Sequence, residues 1–211
     1  MEKWNRPILA MDEAGRGPLA GPVAVGGVLL NREALLKNDV FKDGWWRKVN
    51  DSKKLSEKKR VELADKIKSS FPSTAFLISA VFIDQYGIAS AIKTAAEKVF
   101  FALASDNPLV IVDGREKFLE LNHIEQRTFV GGDGLFFSIA CASILAKVKR
   151  DEYMKEMAKK WPEYGFEKHK GYGTASHLKI LSTLGPCSLH RFSYAPLKNR
   201  ASRKSFFLSK L

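Results

Sequence analysis

The chain has 211 residues, 45% of them apolar, and a formal net charge of +12 at pH 7. That composition supports a sizeable core and argues against disorder, and the length fits one generous domain or one domain with an appendage. Before Asp12 there is only a five-residue apolar stretch, too short for a signal peptide or a membrane span.

Ile8–Met11 reads as a short buried strand running into Asp12. Gly15, Gly17, Pro18, Gly21 and Pro22 break regular structure, and Val23–Leu30 resumes as a second strand with Gly26-Gly27 predicted as a bulge. Residues 31–50 are expected to be an irregular insertion. Ser56 is a good N-cap for a charged helix over Glu57–Ser69. The alternating, β-branched Thr74–Ile83 predicts the next strand, and the helical spacing of alanines and apolar residues predicts a helix over Ile88–Ala104, stopped by Asn107-Pro108. Leu109–Val112 is a wholly apolar strand ending at Asp113; a run without alternation implies a strand covered on both faces. Thr128–Val130 is a candidate fifth strand closed by Gly131-Gly132.

A long helix then spans Phe136 to Lys160, with an apolar stripe at Phe137, Cys141, Ile144 and Val148. A glycine-rich loop (Gly165, Gly171, Gly173) and a helix over Ala175–Leu184 follow. Beyond Glu167 there is no acidic residue, and nine Lys/Arg in the last 44 residues supply +9 of the +12. Charge placed that unevenly reads as a surface meeting a polyanion, with a solvated tail or a membrane-surface tether as the alternatives. No amphipathic lipid-type helix accompanies it. The two cysteines, Cys141 and Cys187, form no CxxC pair, so a reduced, cytoplasmic protein is expected. The pattern as a whole describes a mixed α/β sheet with helices on its faces and a small C-terminal helical extension. The division expected is a catalytic unit over 1–161 and a basic extension over 162–211 packed on it.

Asp12-Glu13 end one apolar strand and Asp113 ends another. If the two are parallel neighbours, the acids meet at one carboxyl edge, where open α/β sheets place their sites. Asp133, between the glycine pair and the long helix, is a candidate fourth acid, with Asp151 as its rival. Crowded carboxylates raise one another's pKa unless a cation neutralises them, and oxygen-only ligands favour Mg²⁺ or Mn²⁺ over Zn²⁺. Two such ions suit phosphodiester hydrolysis. The bland reading is that each acid is a helix cap or a surface residue. Gly15-Arg16-Gly17 lacks the GK[ST] of a P-loop; its glycines permit close approach to a ligand, and Arg16 suits phosphate or sugar. His169, His177 and His190 lack metal-ligand spacing and read as loop-positioning or phosphate-contacting residues.

Several ordered blocks resemble the ribonuclease HII family over Pro7 to Pro196. They are the run Asp12 to Val23, Asp51 to Ser56, Val112-Asp113-Gly114, Gly132-Asp133, Ser138 to Asp151, and Gly171-Tyr172-Gly173-Thr174 through His190-Arg191. The resemblance implies a ribonuclease H-like fold with a mixed five-stranded sheet. It implies hydrolysis of RNA in RNA–DNA hybrids and at single ribonucleotides in duplex DNA, cutting 5′ to the ribonucleotide to leave a 3′ hydroxyl and a 5′ phosphate. It puts the metal-binding, catalytic acids on Asp12, Glu13, Asp113 and Asp133, and the reading of the 2′ hydroxyl on Gly15, Arg16 and Gly17; that hydroxyl is what distinguishes RNA from DNA at one nucleotide. Tyr172 matches the family's junction tyrosine, which stacks on the following deoxyribose, and Lys53 its lysine near the substrate phosphates.

The sequence departs from the family at three places: Gly131 where lysine is usual, Arg115 for asparagine and Cys141 for alanine. Two alternatives stay open. A ribonuclease HIII-type enzyme would carry an extra N-terminal domain and usually lysine at position 16. A non-catalytic nucleic-acid-binding protein would dispense with the acids and bind in a salt-sensitive way whatever the sugar. With no repeated apolar seam, a monomer is expected.

Overall fold

The computed structural model describes residues 6–31, 33, 35, 43–50, 52, 54–103 and 107–199. Five strands form one sheet: β1 (Ile8–Ala14), β2 (Val23–Leu30), β3 (Ser73–Ile78), β4 (Leu109–Asp113) and β5 (Gln126–Phe129). Their order is β3-β2-β1-β4-β5. The first three run antiparallel as a meander, and β4 and β5 continue beyond β1 in parallel. The helices are α1 (Glu57–Ser70), α2 (Ala80–Leu103), α3 (Gly132–Leu135), α4 (Phe137–Lys160), α5 (Phe166–His169) and α6 (Ala175–Leu184). This is the expected mixed α/β architecture. None of the described helices is long and apolar enough to cross a membrane.

Period-2 alternation sorts the sheet residues onto two faces. Leu9, Met11, Val110 and Val112 pack with Ile92, Val99 and Phe100 of α2. On the other face Val28 joins Leu63 and Ile67 of α1 and Cys141, Ile144 and Val148 of α4, the stripe read from the sequence. Both faces are covered, which is why the central strands carry uninterrupted apolar runs.

Gly26 and Gly27 form no bulge. Their register is continuous on both sides, Gly26 opposite Asp12 and Ala75, Gly27 opposite Met11 and Thr74. Their use is close approach instead: a Cβ on Gly26 would lie 2.3 Å from the Ala142 carbonyl oxygen of α4, and one on Gly27 would lie 2.2 Å from Val99 Cγ1 of α2. The missing side chains let one helix settle on each face of the sheet.

Other boundaries move by a few residues. The strand expected through Ile83 ends at Ile78, because the Ser79 hydroxyl accepts the Phe82 N–H and starts α2 eight residues earlier than its apolar period suggested. The β-branched Val81 and Ile83 imitate a strand; the cap decides otherwise. Gly87, at φ 83°, kinks α2 where the predicted helix began. The fifth strand pairs as Gln126–Phe129 rather than Thr128–Val130, and β1 continues through the acids to Ala14. Ser56 caps α1 as expected, accepting from the Lys59 amide. In the 31–50 insertion the described part includes a 3-10 turn over Trp45–Lys48; much of the remainder lies outside the described residues.

From Pro162 onward the chain turns back along α4. Tyr164, Phe166, Leu181, Leu189 and Leu197 share an apolar cluster with Leu19 and Ala20 of the loop after β1 and with Met154 and Met157 of α4. Arg200, Arg203, Lys204 and Lys210 of the basic tail lie outside the described residues.

Gly26→Ala tests the close approach. The added methyl meets backbone atoms, which cannot rotate away, so α4 must shift; a loss of about 1–3 kcal/mol is expected, read from urea denaturation, with a parallel fall in catalytic activity because α4 carries part of the site.

Candidate active site

β1 and β4 are parallel with Met11 opposite Val112, so Asp12 and Asp113 emerge next to each other at the carboxyl edge of the sheet. Alternation also gives both acids the face that α4 covers, since Ala10 and Ile111, two residues earlier on each strand, pack there against Ile139. Asp12 is 5% exposed. Burial pushes its pKa well above the ordinary carboxylate value; the charges of Glu13 and Asp113 add to the rise, and hydrogen bonds from Ser143 and the Glu13 amide oppose it. Glu13 Oε1 accepts from Arg16 Nε at 3.0 Å, and Asp113 Oδ1 accepts from the Gly132 amide at 2.7 Å.

One cleft is lined by Asp12, Glu13, Asp113, Gly15, Arg16, Gly17 and Tyr172, together with Ser52, Ser143 and Lys147. Seven of the residues singled out in the sequence therefore share one concavity. Asp133 sits in the first turn of α3, next to the glycine that holds Asp113, and is not among the residues lining that cleft. Lys53 lies outside the described residues. Among the described residues no three His, Cys, Asp or Glu side chains stand as a ready enclosure for an ion. Glu13 is turned to Arg16, and Asp113 to the Gly132 amide.

The sequence reading assigned no role to Ser52, Ser143 or Lys147. The Ser52 hydroxyl is 3.0 Å from that of Ser143, which in turn bonds Asp12, so the loop before α1 is tied to the buried acid. A signal was present: Ser143, Lys147 and Asp151 recur every four residues along one line of a helix whose Ile144, Leu145, Ala146 and Val148 are apolar. Asp151 is buried one turn beyond Lys147, bonding its ammonium at 2.6 Å and facing Arg60 at 3.7 Å. Burial lowers the Lys147 pKa, and Asp151 opposes that shift.

Two buried arginines hold the loops that frame the cleft. Arg191 donates to the carbonyl oxygens of Gly15 (2.7 Å), Arg16 (2.9 Å), Gly21 (2.9 Å) and Pro22 (3.0 Å). Arg150 donates to those of Pro22 (2.9 Å), Ala20 (3.1 Å) and Lys170 (2.9 Å), joining the loop after β1 to the loop that carries Tyr172. Gly15, at φ 94°, must be glycine, since a Cβ there would fall 2.1 Å from Arg150 Nε. The ring of Tyr172 rests over Arg150 Cζ at 5.6 Å and Lys147 Nζ at 5.9 Å, and its side chain remains exposed to the cleft. Burial, with Arg191 nearby, brings the Arg150 pKa down to about 10. Both guanidiniums still carry their charge at neutral pH.

An acidic sheet edge with β1 and β4 parallel, closed by a glycine-arginine-glycine loop, defines a nuclease of the ribonuclease H-like class. Solved structures agree on the fold: ribonuclease HII of Archaeoglobus fulgidus, solved with PCNA, superposes at TM-score 0.70 with 22% identity over 94% of this chain and all of that one. Ribonuclease H2 of Pyrococcus horikoshii superposes at 0.68 with 21% identity over 91% and 95%. A ribonuclease HIII in complex with Mn²⁺ also shares it, at 0.65 and 17% over 99% of this chain and 72% of that one. Sequence separates the types. The family model for ribonuclease HII matches residues 9–197. The ribonuclease HII of Caldicellulosiruptor bescii is 43% identical over 94% of this chain and 90% of its own, and that of Chlamydia caviae 40% over 90% and 85%. The chain belongs to the ribonuclease HII family. It is a ribonuclease H, an endonuclease that hydrolyses phosphodiester bonds, of a family that acts on RNA–DNA hybrids.

Arg191→Lys keeps a charge but cannot span four carbonyls. Loss of those bonds from buried acceptors is expected to cost about 2–3 kcal/mol, measured by denaturant titration, and to raise KM for nucleic acid as the Gly15–Gly17 loop loosens.

Proposed function

We propose that this endonuclease incises on the 5′ side of a ribonucleotide, in RNA–DNA hybrids and at single ribonucleotides in duplex DNA, leaving a 3′ hydroxyl and a 5′ phosphate. The observation carrying this reading is the shared cleft: Asp12 and Asp113 from parallel strands, the Gly15-Arg16-Gly17 loop and Tyr172 all line it. Acids suited to hydrolysis and groups suited to reading a sugar lie within one concavity.

Asp12, Glu13, Asp113 and Asp133 would hold divalent ions, Mg²⁺ or Mn²⁺, two per site with substrate bound. The donor set fits: it is oxygen only, and it contains a buried carboxyl disfavoured as an anion by burial and by two acidic neighbours, a strain that a hard cation relieves. A Mn²⁺ complex of a ribonuclease HIII with the same fold is in keeping with this. Held there, such ions would supply an activated water and neutralisation of charge on the leaving 3′ oxygen. Asp133 enters as the fourth acid on the family resemblance and on its place beside Gly132; Asp151, already paired with Lys147, serves structure.

The chain's own groups do the rest. Gly15, Arg16 and Gly17 recognise the 2′ hydroxyl; Gly17 is exposed, so its backbone is open to a sugar, and Arg16, whose side chain is half exposed, offers a guanidinium at the cleft mouth. Tyr172, whose exposed ring lies near the Lys147 and Arg150 cations, stacks on the deoxyribose that follows. Lys53 contacts a substrate phosphate. Residues 1–161 form the catalytic domain and 162–211 its basic extension, and the protein acts as a cytoplasmic monomer.

The test is incubation with duplex DNA containing one ribonucleotide, with Mg²⁺ or Mn²⁺ and with chelator. Incision 5′ to the ribonucleotide is expected, absent with chelator and in Asp12→Asn protein; equal cutting of an all-DNA duplex would refute the reading. The acids are separated by a second pair. Asp133→Asn is expected to abolish turnover with the melting temperature unchanged, whereas Asp151→Asn, which strips Lys147 and Arg60 of a buried partner, is expected to cost about 3 kcal/mol of stability.

A further inference from the structure

Beneath Tyr172 three imidazoles are packed together: His169 and His177 stack with ring centroids 4.2 Å apart, and His177 meets His190 at 5.2 Å. His177 and His190 are 0% and 1% exposed, too deep to touch a phosphate. Their hydrogen bonds determine where each proton sits. The Cys187 amide donates to His190 Nδ1 at 3.0 Å, and the Cys187 carbonyl oxygen also lies 3.2 Å from that nitrogen; the amide N–H directed at it assigns it the lone pair, which puts the hydrogen on His190 Nε2. It faces His177 Nε2 at 3.0 Å, which must accept, leaving the hydrogen on His177 Nδ1. That nitrogen lies 2.9 Å from the carbonyl oxygen of Tyr172 and donates to it. His169 repeats the pattern: the Gly171 amide donates to its Nδ1 at 3.2 Å, and its Nε2 donates to the Tyr164 carbonyl at 2.8 Å.

We propose that His177 and His190 are positioning residues for Tyr172, a relay with one proton per ring that anchors the tyrosine's backbone and so sets selectivity for a ribonucleotide–deoxyribonucleotide junction. The inference rests on the reading of Tyr172 as the residue that meets the sugar after the ribonucleotide. The backbone before Tyr172 is held at Lys170, by Arg150, and at Gly171, whose carbonyl accepts from Leu19 and Ala20, and the Tyr172 amide donates to the His169 carbonyl within the same turn. The Tyr172 carbonyl also accepts the Thr174 amide, a contact within its own turn, so His177 is its link to a separate buried framework. An extra proton would set two N–H groups against each other across the 3.0 Å contact or remove the acceptor of the Cys187 amide. The surroundings keep it out: burial lowers the pKa of both rings, that of His190 to about 3, with Tyr164, Phe166 and Cys187 as the other neighbours.

The readout is the ratio of kcat/KM on duplex DNA with one ribonucleotide to kcat/KM on a long RNA–DNA hybrid, which lacks the junction. His177→Gln keeps a group near Nε2 but loses the donor at Nδ1; His177→Asn keeps a donor near Nδ1. The first is expected to lower the ratio about tenfold, in line with the sensitivity of a reacting geometry to small displacements, and the second to restore most of it. In a Tyr172→Ala background His177→Gln is expected to leave the ratio where Tyr172→Ala has put it, because effects acting through one residue do not add. A further drop in that background, or an equal fall on both substrates, would make the histidines merely structural and overturn the inference. An unchanged ratio in Tyr172→Ala alone would overturn the reading of Tyr172 instead, before any histidine variant is compared. Both histidine variants are close in volume to the parent, and melting curves are the check that each is folded before the ratios are compared.

Discussion

Two guanidiniums that form no ion pair with a carboxylate among the described residues hold this site together. A buried arginine normally needs an anion, because an isolated charge in a low-dielectric interior is strongly disfavoured. Arg150 and Arg191 are instead surrounded by carbonyl dipoles from two stretches of chain: the loop between β1 and β2, from Gly15 to Pro22, and, for Arg150, the Lys170 turn. Those loops would otherwise bury unpaired carbonyls, which the two guanidiniums satisfy, although Arg150 Nη1 is itself buried with no hydrogen-bond partner among the described residues. The loop after β1 is thereby fixed from below while its upper side stays open to a ligand. Tyr194 adds a hydrogen bond to the Arg16 carbonyl, and Asp84 of α2 receives the Phe192 and Ser193 amides, anchoring the segment that delivers Arg191.

The acids depend on a different constraint. Carboxylates crowd at the sheet edge because β1 and β4 are parallel neighbours in register, and the crowding matters because α4 lies close enough to bury one of them. That proximity traces to Gly26, where any side chain would strike the backbone of α4. A glycine on the strand next to Asp12 thus controls the dielectric around Asp12. The same helix supplies Ser143 to the acid, Lys147 to the underside of Tyr172, and Arg150 to both loops, at spacings of one and two turns. A shift of α4 moves them all together.

Part of this was legible in the chain. Asp12 and Asp113 could be placed at one edge because both terminate apolar runs, and apolar runs without alternation mark central strands. The long helix and its stripe followed from period, and Ser56 announced the helix it caps. Less legible was the start of α2, where Val81 and Ile83 carry strand propensity but the Ser79 hydroxyl caps a helix. Gly26-Gly27 misled for a related reason: glycine in a strand suits a bulge or a close approach equally, and only the neighbouring helices distinguish the two. The two arginines look like any of the basic residues in the sequence, since nothing local records that a guanidinium will be enclosed by carbonyls more than a hundred residues away.

What the sequence determined by itself is therefore what depends on neighbours along the chain: period, caps, turns, and the residue types able to bind a hard cation or read a sugar. The tertiary structure decided everything that depends on distance across the fold. It chose which acid is buried and which is paired, placed Tyr172 near two cations, and brought His177 between the Tyr172 carbonyl and His190. Those outcomes rest on desolvation and on hydrogen-bond partners brought from remote segments, and both exist only after the sheet and α4 have closed on each other.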